Sequence, residues 1–415
     1  MIFHIALLCL LVSVLTSCDA FPALENPRTF SSRLYEEDAV ATLSFKQPKL
    51  CDPTVVQYSG YIDVDTDEHY FFWFFESRHN PDTAGLTMWL NGGPGCTSMT
   101  GLWEEVGPCK VNTEGTKDLY NELGSWNGVT NMLFLDQPAN TGFSYGDRLV
   151  NSTDKAKLRA YQFLQLFLEA FPKYQKQPFH LFGYILEKNQ SPSLPANKRI
   201  NLESIGIGNG ITDVLVQVKL TLAPVTFLGS QYAETMACHS SYGSVLLPSD
   251  CEEIRNNTPK CVHLMETCEK TGTVQDCDNA TVYCAKYVEN IYLRSGRDIY
   301  DIRASQDQKS GTEFPKFLNT PHVLKQIGAR TKFRHCSTNV YGVHGWTEVF
   351  DFKASGDYRG KELKPWLVDG VEAGQIQYGG NLTFIRVYQA GHKVPYYQPK
   401  ACRQMFINHL NHIPM

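Results

Sequence analysis

A glycine-rich loop and one histidine have the residue types and spacing that could support catalysis. The loop NGGPGC at residues 91–96 directly follows the short apolar run LTMWL at 86–90. Glycines let backbone N–H groups approach a ligand closely, as a site that stabilises an oxyanion requires, although a tight strand-to-helix turn uses the same residues. His392 follows the apolar run LTFIRVY at 382–388. A histidine there can take a proton from a nucleophile and return it to a leaving group.

The stretch GFSYG at 142–146 fits the G-x-S-x-G pattern of many nucleophilic serines. Such a serine needs a strand immediately before it and a helix immediately after it, because the strained turn between them lifts the hydroxyl out of the sheet. Here Pro138 lies in the preceding segment, and the next helical pattern begins only near Thr153. We therefore do not expect Ser144 to be a nucleophile.

Four motifs occur in the order known from the serine carboxypeptidase family. They are WLNGGPGCTS at 89–98, LDQP with GFSY between 135 and 145, IGNGITD at 207–213, and GHKVP at 391–395. The sequence resembles that family over about residues 50–412. The resemblance implies an α/β-hydrolase fold with a mostly parallel central sheet flanked by helices. It also implies removal of C-terminal residues from peptides, without a metal or a cofactor.

The resemblance assigns roles to six residues. Gly93 would supply one oxyanion-hole N–H and His392 would be the catalytic base. The carboxylate of a peptide C-terminus would be bound by Trp89, Asn91, Gly92 and Glu105. A protonated glutamate can donate a hydrogen bond to a carboxylate whereas an ionised one repels it, so this assignment favours acid pH. Without the resemblance, a solvated or capping role would be the expectation for Glu105.

Two catalytic elements of the family have no counterpart here. After the apolar run PFHLFG at 178–183 the family carries a Gly-Glu-Ser-Tyr elbow, whereas this chain continues with YILEKN at 184–189. The family's catalytic aspartate should precede the segment YGVHGW at 341–346, yet residues 331–339 contain no acidic residue. We therefore expect this chain as written to be inactive. Because the flanking sequence is undamaged, a gene model with skipped coding segments or a decayed gene is favoured.

Two alternatives stay open. One is a non-catalytic secreted protein that binds peptides or carboxylates. The other is an acyltransferase of the same fold, which would send the acyl group to an alcohol instead of water.

Apolar runs alternate with polar turns and with helical periodicity, which predicts an α/β fold with a mostly parallel sheet. The predicted strands include residues 55–64, 69–75, 86–90, 132–136, 179–182 and 205–208, and a helix is predicted over 156–171. The predicted organisation is a signal peptide at 1–20, a first part of the hydrolase core at 21–213, an inserted cysteine-rich cap at 214–335, and a second part of the core at 336–415.

Composition and charge restrict the partners. The 415-residue chain has a net charge of −5, with 42% hydrophobic and 20% charged residues, which is ordinary for a globular protein. No basic cluster is present, so we expect no nucleic-acid partner. An apolar run over residues 1–15, followed by small residues up to Ala20, predicts a signal peptide. We expect no membrane span in the mature protein and a destination in the secretory pathway, either extracellular or vacuolar.

Cysteines and glycosylation sequons agree with export. Of 13 cysteines, 11 follow Ala20, and six of these lie between Cys238 and Cys284. This spacing predicts a region stapled by disulfides, and the odd number leaves one cysteine unpaired. N-glycans are expected at Asn151, Asn256, Asn279 and Asn381, with a further sequon at Asn189.

Overall fold

The structure is a computed structural model. It describes residues 27–33, 40–64, 67–92, 95–147, 153–182, 199–208, 237–240, 243–298, 300–305, 313–334, 355–358 and 361–415. The predicted signal peptide, the segment that follows Phe182, and the segment 335–350 lie outside these ranges.

Nine strands of the described residues form one mixed sheet. Its strands are β1 (Arg28–Arg33), β2 (Val40–Lys46), β3 (Gln57–Val64), β4 (Glu68–Phe75), β5 (Leu86–Trp89), β8 (Asn131–Leu135), β9 (Tyr145–Gly146), β10 (Phe179–Phe182) and β11 (Leu202–Gly206). Two further strands, β6 (Cys109–Val111) and β7 (Asp118–Tyr120), form a separate hairpin. The main order is β1-β2-β3-β4-β8-β5-β10-β11, and β9 pairs with β4.

The direction of pairing changes half-way across this sheet. The strands from β1 to β4 pair antiparallel, and β4 also pairs antiparallel with β8. From β8 through β5 and β10 to β11 the pairing is parallel. A connection as short as the three residues between β3 and β4 allows only antiparallel pairing, whereas parallel pairing needs a longer crossover connection. The expectation of a mostly parallel sheet therefore holds for one half of it.

Strand β4 is buried on both faces because its sequence is almost entirely aromatic. Side chains alternate between the two faces of a strand. Phe72 and Phe74 pack on one side with helix α1 (Thr153–Ala170), while Phe71 and Trp73 contribute to a second apolar cluster on the other side. The ring centroids of Phe72 and Phe163 on α1 are 5.4 Å apart. The predicted strand and the predicted helix are both confirmed.

The remaining described helices surround the sheet or build a separate cysteine-rich unit. The α-helices are α2 (Pro248–Thr271), α3 (Val274–Cys284), α4 (Asn290–Leu293), α5 (Glu313–Leu318), α6 (Pro321–Ile327), α7 (Ser355–Tyr358), α8 (Val394–Tyr397) and α9 (Pro399–Leu410). Gly101–Glu105, called the π-helix below, and Ala285–Glu289 are π-helical, and Trp126–Gly128 and Pro172–Tyr174 are 3-10 helices. Within the described ranges, no helix combines the length and the apolarity needed to cross a bilayer.

Disulfides confirm the predicted stapled region. Cys238–Cys251, Cys261–Cys284 and Cys268–Cys277 tie α2 and α3 together and to the chain before them, and Cys51–Cys109 lies in the core. Among the cysteines that the structure describes, Cys402 is free and buried. The domain boundaries given above stay a prediction.

The apolar run at 382–388 forms a strand, but this strand belongs to another sheet. Strand β14 (Leu382–Val387) pairs with β13 (Val371–Gly379), which pairs with β12 (Lys364–Val368), all antiparallel. Two-residue turns connect them, Asp369-Gly370 and Gly380-Asn381, and the φ angles of Asp369 (51°) and Gly370 (78°) suit such hairpin turns. These turns hold β14 to its sequence neighbours. In the described part of the chain, the main sheet ends at β11.

Candidate active site

The end of strand β5 positions the first predicted site residues. Trp89 is the last residue of β5, which lies between the parallel strands β8 and β10. Ligands of α/β sheets commonly bind at the carboxyl ends of such strands. The indole Nε1 of Trp89 and the backbone N–H of Gly101 both donate to Oδ1 of Asn91, each at 2.8 Å. These two hydrogen bonds fix the orientation of the Asn91 amide group. Its nitrogen, Nδ2, therefore points toward Glu105 and lies 3.4 Å from Oε2 of that residue.

Gly101 makes this arrangement sterically possible. A Cβ atom at Gly101 would lie 2.2 Å from Nε1 of Trp89 and 2.8 Å from Oδ1 of Asn91. Both distances are below any normal non-bonded contact, so a side chain here would displace the indole and the amide together. The π-helix can therefore approach the end of β5 only with glycine at its first position.

Glu105 is the last residue of that π-helix and is 6% exposed. Burial raises the pKa of Glu105 to about 7, against the opposing effect of the Lys393 ammonium, and neighbouring Glu104 raises it further. Below that pH the carboxyl group carries a proton that it can donate. A buried, protonated carboxyl beside a fixed amide N–H is an arrangement that can bind a carboxylate.

The loop that carries His392 contacts the same π-helix. The ammonium of Lys393 donates to Oε2 of Glu104, and helix α8 packs against the π-helix. The backbone N–H of His392 donates to the carbonyl oxygen of Tyr300 at 2.7 Å. Burial lowers the pKa of His392 to about 4, and the charge of Lys393 acts in the same direction. The imidazole is therefore neutral, and able to accept a proton, at mildly acid pH.

Asp136 anchors the chain that leaves the glycine loop. Its carboxylate accepts hydrogen bonds from the Thr97 hydroxyl at 2.5 Å, the Ser98 N–H at 2.9 Å and the Phe143 N–H at 2.9 Å. Burial raises the pKa of Asp136 to about 6, and these hydrogen bonds lower it. Asp136 thus joins the segment after Cys96 to the segment around Ser144.

The hydroxyl of Ser144 makes two hydrogen bonds to backbone groups. It donates to the carbonyl oxygen of Asp136 at 2.7 Å and accepts from the backbone N–H of Phe71 at 2.7 Å, and the residue is 2% exposed. A hydroxyl held in this way cannot attack a substrate. The structure agrees with the expectation that Ser144 is not a nucleophile.

The structure brings together three of the predicted site residues, Trp89, Asn91 and Glu105. Gly92 is exposed beside them, and a Cβ atom on it would meet nothing within 4 Å. His392 is linked to this group through the Lys393–Glu104 pair. Gly93 lies outside the described residues, and so do Asn151 and Asn189.

Sequence reasoning missed three residues of the site. Glu104, Lys393 and Asp136 were given no role, although Lys393 stands inside the GHKVP motif and Asp136 inside LDQP. Glu104 precedes Glu105 directly. The sequence offered one signal for this ion pair: two adjacent glutamates, and a lysine next to the predicted base. It could not show that Lys393 contacts Glu104, because the two residues are far apart in the chain.

Comparison with known proteins decides the family. A sequence model of the serine carboxypeptidase family matches residues 48–354 and 339–412 of this chain. The chain belongs to the serine carboxypeptidase family. Carboxypeptidase Y of Candida albicans is 34% identical over 407 positions, which cover 85% of this chain and 72% of that protein. The vacuolar serine-type carboxypeptidase ATG42 of Saccharomyces cerevisiae is 32% identical over 91% of this chain and 83% of its own length.

Alignment length adds a further fact about this serine carboxypeptidase. Carboxypeptidase Y of Schizosaccharomyces pombe is 32% identical over 453 positions, covering 93% of this chain but only 44% of that protein. An alignment of 453 positions exceeds the 415 residues of this chain. The relative therefore has residues inside the aligned region that have no counterpart here.

A solved structure supports the fold. The crystal structure of a prohormone-processing carboxypeptidase from Saccharomyces cerevisiae superposes with a TM-score of 0.65, covering 89% of this chain and 95% of that one. Sequence identity is 21%, so this likeness concerns the fold alone. The chain has the α/β-hydrolase fold predicted from its motifs.

Proposed function

We propose that this protein has the design of a serine-type carboxypeptidase that acts on peptide C-termini at acid pH, and that the present chain keeps recognition but lacks hydrolysis. The observation that carries the proposal is the hydrogen-bonded set of Trp89, Asn91 and Glu105. The two donors on Oδ1 of Asn91 fix its amide N–H toward Glu105. A peptide carboxylate could then accept one hydrogen bond from this amide and one from the protonated carboxyl group.

The pKa values of two residues support a working range in acid. Glu105 keeps its proton below about pH 7, so it can donate to a carboxylate instead of repelling it. His392 stays neutral above about pH 4, so it can accept a proton from a nucleophile. Both conditions hold together between these two values.

The absence of hydrolysis is inferred from the sequence around the expected nucleophile. The chain passes from Gly183 to Tyr184 without the elbow that the family carries. Ser144, which alone fits the G-x-S-x-G spacing, has its hydroxyl committed to backbone groups. A hydroxyl presented to a histidine on a strained corner is what acyl-enzyme chemistry needs. Skipped coding segments or decay of the gene would account for its loss.

Passage through the secretory pathway is supported by three observations. Four disulfides bridge described cysteines, and disulfides persist in oxidising compartments. The N-terminal apolar run has the layout of a signal peptide. The sequon residues Asn256, Asn279 and Asn381 are exposed and accessible to glycosylation. A vacuolar or extracellular destination follows from this proposal.

Calorimetric binding tests the recognition step. The ligand is the peptide acetyl-Ala-Phe-Leu, and its C-terminal amide is the matched control. We expect the acid to bind at pH 5, the amide to bind much more weakly, and the acid to bind about tenfold more weakly at pH 8, where Glu105 has lost its proton. Glu105→Gln donates at every pH and should remove this pH dependence. Equal binding of acid and amide would contradict the proposal.

Labelling with a fluorophosphonate tests the hydrolytic step. The chain as given should not be labelled and should not trim peptides between pH 4 and pH 6. Sequencing the transcript across the codons for Gly183 and Tyr184 distinguishes the two origins of the gap. Reads that contain an inserted Gly-x-Ser-x-Gly segment predict an active enzyme, and reads that confirm the present junction predict a non-catalytic one.

A further inference from the structure

A cleft lies between strands β2 and β3 and helix α6, away from the candidate active site. In the main sheet, β4 and β8 separate β3 from β5, whose end carries the proposed recognition residues. The cleft has a volume of about 240 Å³, and its walls include three cationic side chains, Lys46, Lys325 and Arg330. Pockets for drug-sized ligands commonly measure about 300–1,000 Å³, so this cleft suits a smaller ligand.

The pairing of β2 with β3 places the polar lining on one face of the sheet. Ser44 lies opposite Tyr61, and Lys46 lies opposite Ser59. Side chains two residues apart on a strand point to the same face, and directly opposed residues of paired strands share that face. All four side chains are therefore on the side of α6, where the Ser59 hydroxyl donates to the carbonyl oxygen of Ile327 at 2.8 Å.

Arg330 is held in one orientation on the wall of the cleft. Its Nη1 donates to Oδ1 of Asp63 at 2.6 Å, and its Nη2 donates to Oγ of Ser44 at 2.7 Å. Its guanidinium carbon lies 4.6 Å from the centre of the Tyr61 ring, and Tyr145 accepts a further hydrogen bond from this side chain. A guanidinium has five N–H donors, so donors remain for a ligand, and its fixed position lowers the entropy cost of binding one.

The two lysines of the cleft carry charge that no carboxylate compensates. Arg330 pairs with Asp63, which also contacts Nδ1 of His69 at 2.6 Å. Within the described ranges, neither Lys46 nor Lys325 forms an ion pair. Three positive charges therefore face one negative charge, in a chain whose net charge is −5.

The carbonyl groups at the end of α6 do not take up this charge. The carbonyl oxygen of Leu324 accepts the backbone N–H groups of Gly328 and Ala329. The carbonyl oxygen of Ile327 accepts the Ser59 hydroxyl. Both oxygens are already hydrogen-bonded, so the lysine ammonium groups are left for a ligand.

We propose that this cleft binds a phosphate group, either as the free ion or as the end of a small phosphate monoester. The two charges of the phosphate dianion match the excess of two positive charges, whereas a monocarboxylate would neutralise only one. Ammonium groups bind phosphate as point charges, and a guanidinium binds it through its fork of N–H groups. The Ser44 hydroxyl accepts from Arg330 and can donate its own hydrogen to a phosphate oxygen. This inference does not depend on the proposed recognition of peptides.

Calorimetric titration of the full chain at pH 7.5 and low salt, in a buffer free of phosphate, tests the binding. The probes are inorganic phosphate and glucose 6-phosphate, with glucose and acetate as controls. We expect phosphate binding, no binding of glucose, and at least about tenfold weaker binding of acetate. Tighter binding of glucose 6-phosphate identifies a monoester site, and tighter binding of inorganic phosphate identifies a site for the free ion.

Three lysine variants locate the site. Lys46→Met and Lys325→Met should each weaken phosphate binding about tenfold, and the double variant should abolish it, because each removes a charge-assisted hydrogen bond. Lys49→Met is the matched control: this lysine is exposed on the same side of the sequence but does not line the cleft, and its replacement should leave the affinity unchanged.

Thermal unfolding without phosphate verifies that every variant is folded. Added phosphate should raise the melting temperature of the unaltered chain and of Lys49→Met, but not that of the double variant. If neither phosphate compound binds, the inference is wrong. It is equally wrong if the double variant still binds phosphate, or if Lys49→Met weakens binding as much as Lys325→Met does, because the ion would then respond to surface charge in general.

Discussion

Strand β10 separates two parts of the main sheet that are packed very differently. On one side, β5 and β8 are buried along nearly their whole length, and Asp136 ties the adjoining loops with hydrogen bonds of 2.5–2.9 Å. On the other side, β11 alternates half-buried and exposed residues, and no described strand pairs with its outer edge. Ile205 in β11 is 40% exposed, and Ile207 just beyond it is 37% exposed.

The small sheet shares the character of the β11 side. Leu367, Val371 and Tyr378, in β12 and β13, are 57%, 70% and 51% exposed. Native sheets rarely leave an apolar edge uncovered. The difference shows that the β5 and β8 side of the sheet is closely packed, whereas among the described residues β11 and the small sheet leave apolar side chains exposed.

The largest expected effect tests how firmly the β5 and β8 side of the sheet is held together. Asp136→Ala leaves the Thr97 hydroxyl and the N–H groups of Ser98 and Phe143 without their acceptor inside the core. We expect a loss of about 4 kcal/mol in the free energy of unfolding, measured by urea denaturation. Ser204→Ala on β11 is the matched change at the edge and should cost about 1 kcal/mol. Equal losses would contradict the contrast between the two sides.

A smaller effect is expected from crowding the recognition site. Gly101→Ala places a methyl group 2.2 Å from Nε1 of Trp89, which should cost about 1–3 kcal/mol and abolish the preference for a peptide acid over its amide. Gly92→Ala is the control, because a Cβ atom there meets nothing within 4 Å. Retained acid binding in Gly101→Ala would show that the Trp89–Asn91 contact is dispensable.

The serine of the G-x-S-x-G stretch should affect stability and not reactivity. Ser144→Ala removes a buried hydroxyl that both donates and accepts, and should cost about 1–2 kcal/mol. Fluorophosphonate labelling, absent in the unaltered chain, should be equally absent in the variant. Labelling that appears in the unaltered chain and is lost on Ser144→Ala would identify Ser144 as the nucleophile.

The smallest expected effects are opposite pH dependences of stability caused by two buried groups, Glu105 in the π-helix and His180 in β10. The pKa of Glu105 rises from 4.5 to about 7 on folding, so the folded state binds more protons and stability falls as pH rises from 4.5 to 7. Burial, aided by His409 and His412, lowers the pKa of His180 in β10 from 6.5 to about 4. The unfolded state then binds more protons, and stability falls as pH drops from 6.5 to 4.

Variants separate the two contributions. Glu105→Gln should flatten the loss of stability above pH 4.5, and His180→Asn should flatten the loss below pH 6.5. Both are measured as free energies of unfolding between pH 4 and pH 8. An unchanged slope in either variant would show that the corresponding group does not titrate as its burial requires.

Much of the main sheet could be predicted because several of its strands are continuous runs of apolar residues. The aromatic run in β4 and the apolar run in β8 fit only fully buried strands, and both were located within one or two residues. Strands β12 and β13 were missed, although Asp369-Gly370 is a strong hairpin signal. The sheet to which β14 belongs could not be predicted, because ladder pairing depends on which neighbours the folded chain supplies.

The site was predictable only as far as contiguous motifs reach. Trp89 and Asn91 are two residues apart, and the loop motif identifies both. The burial of Glu105 could not be predicted from the sequence, because a glutamate at the end of a short helix is commonly solvated. The pairing of Glu104 with Lys393 joins residues 289 positions apart. No local pattern encodes such a contact, because it arises from packing of α8 on the π-helix.

The surroundings of Trp89 have a practical consequence. Its indole N–H is hydrogen-bonded to the amide that would hold a peptide carboxylate, and its ring stacks at 6.1 Å on Phe182 and meets Trp126 edge-on at 5.4 Å. Indole emission responds to hydrogen bonding and to nearby rings. A bound C-terminus should therefore change the intrinsic fluorescence of the chain, so that occupancy can be followed optically without any attached dye.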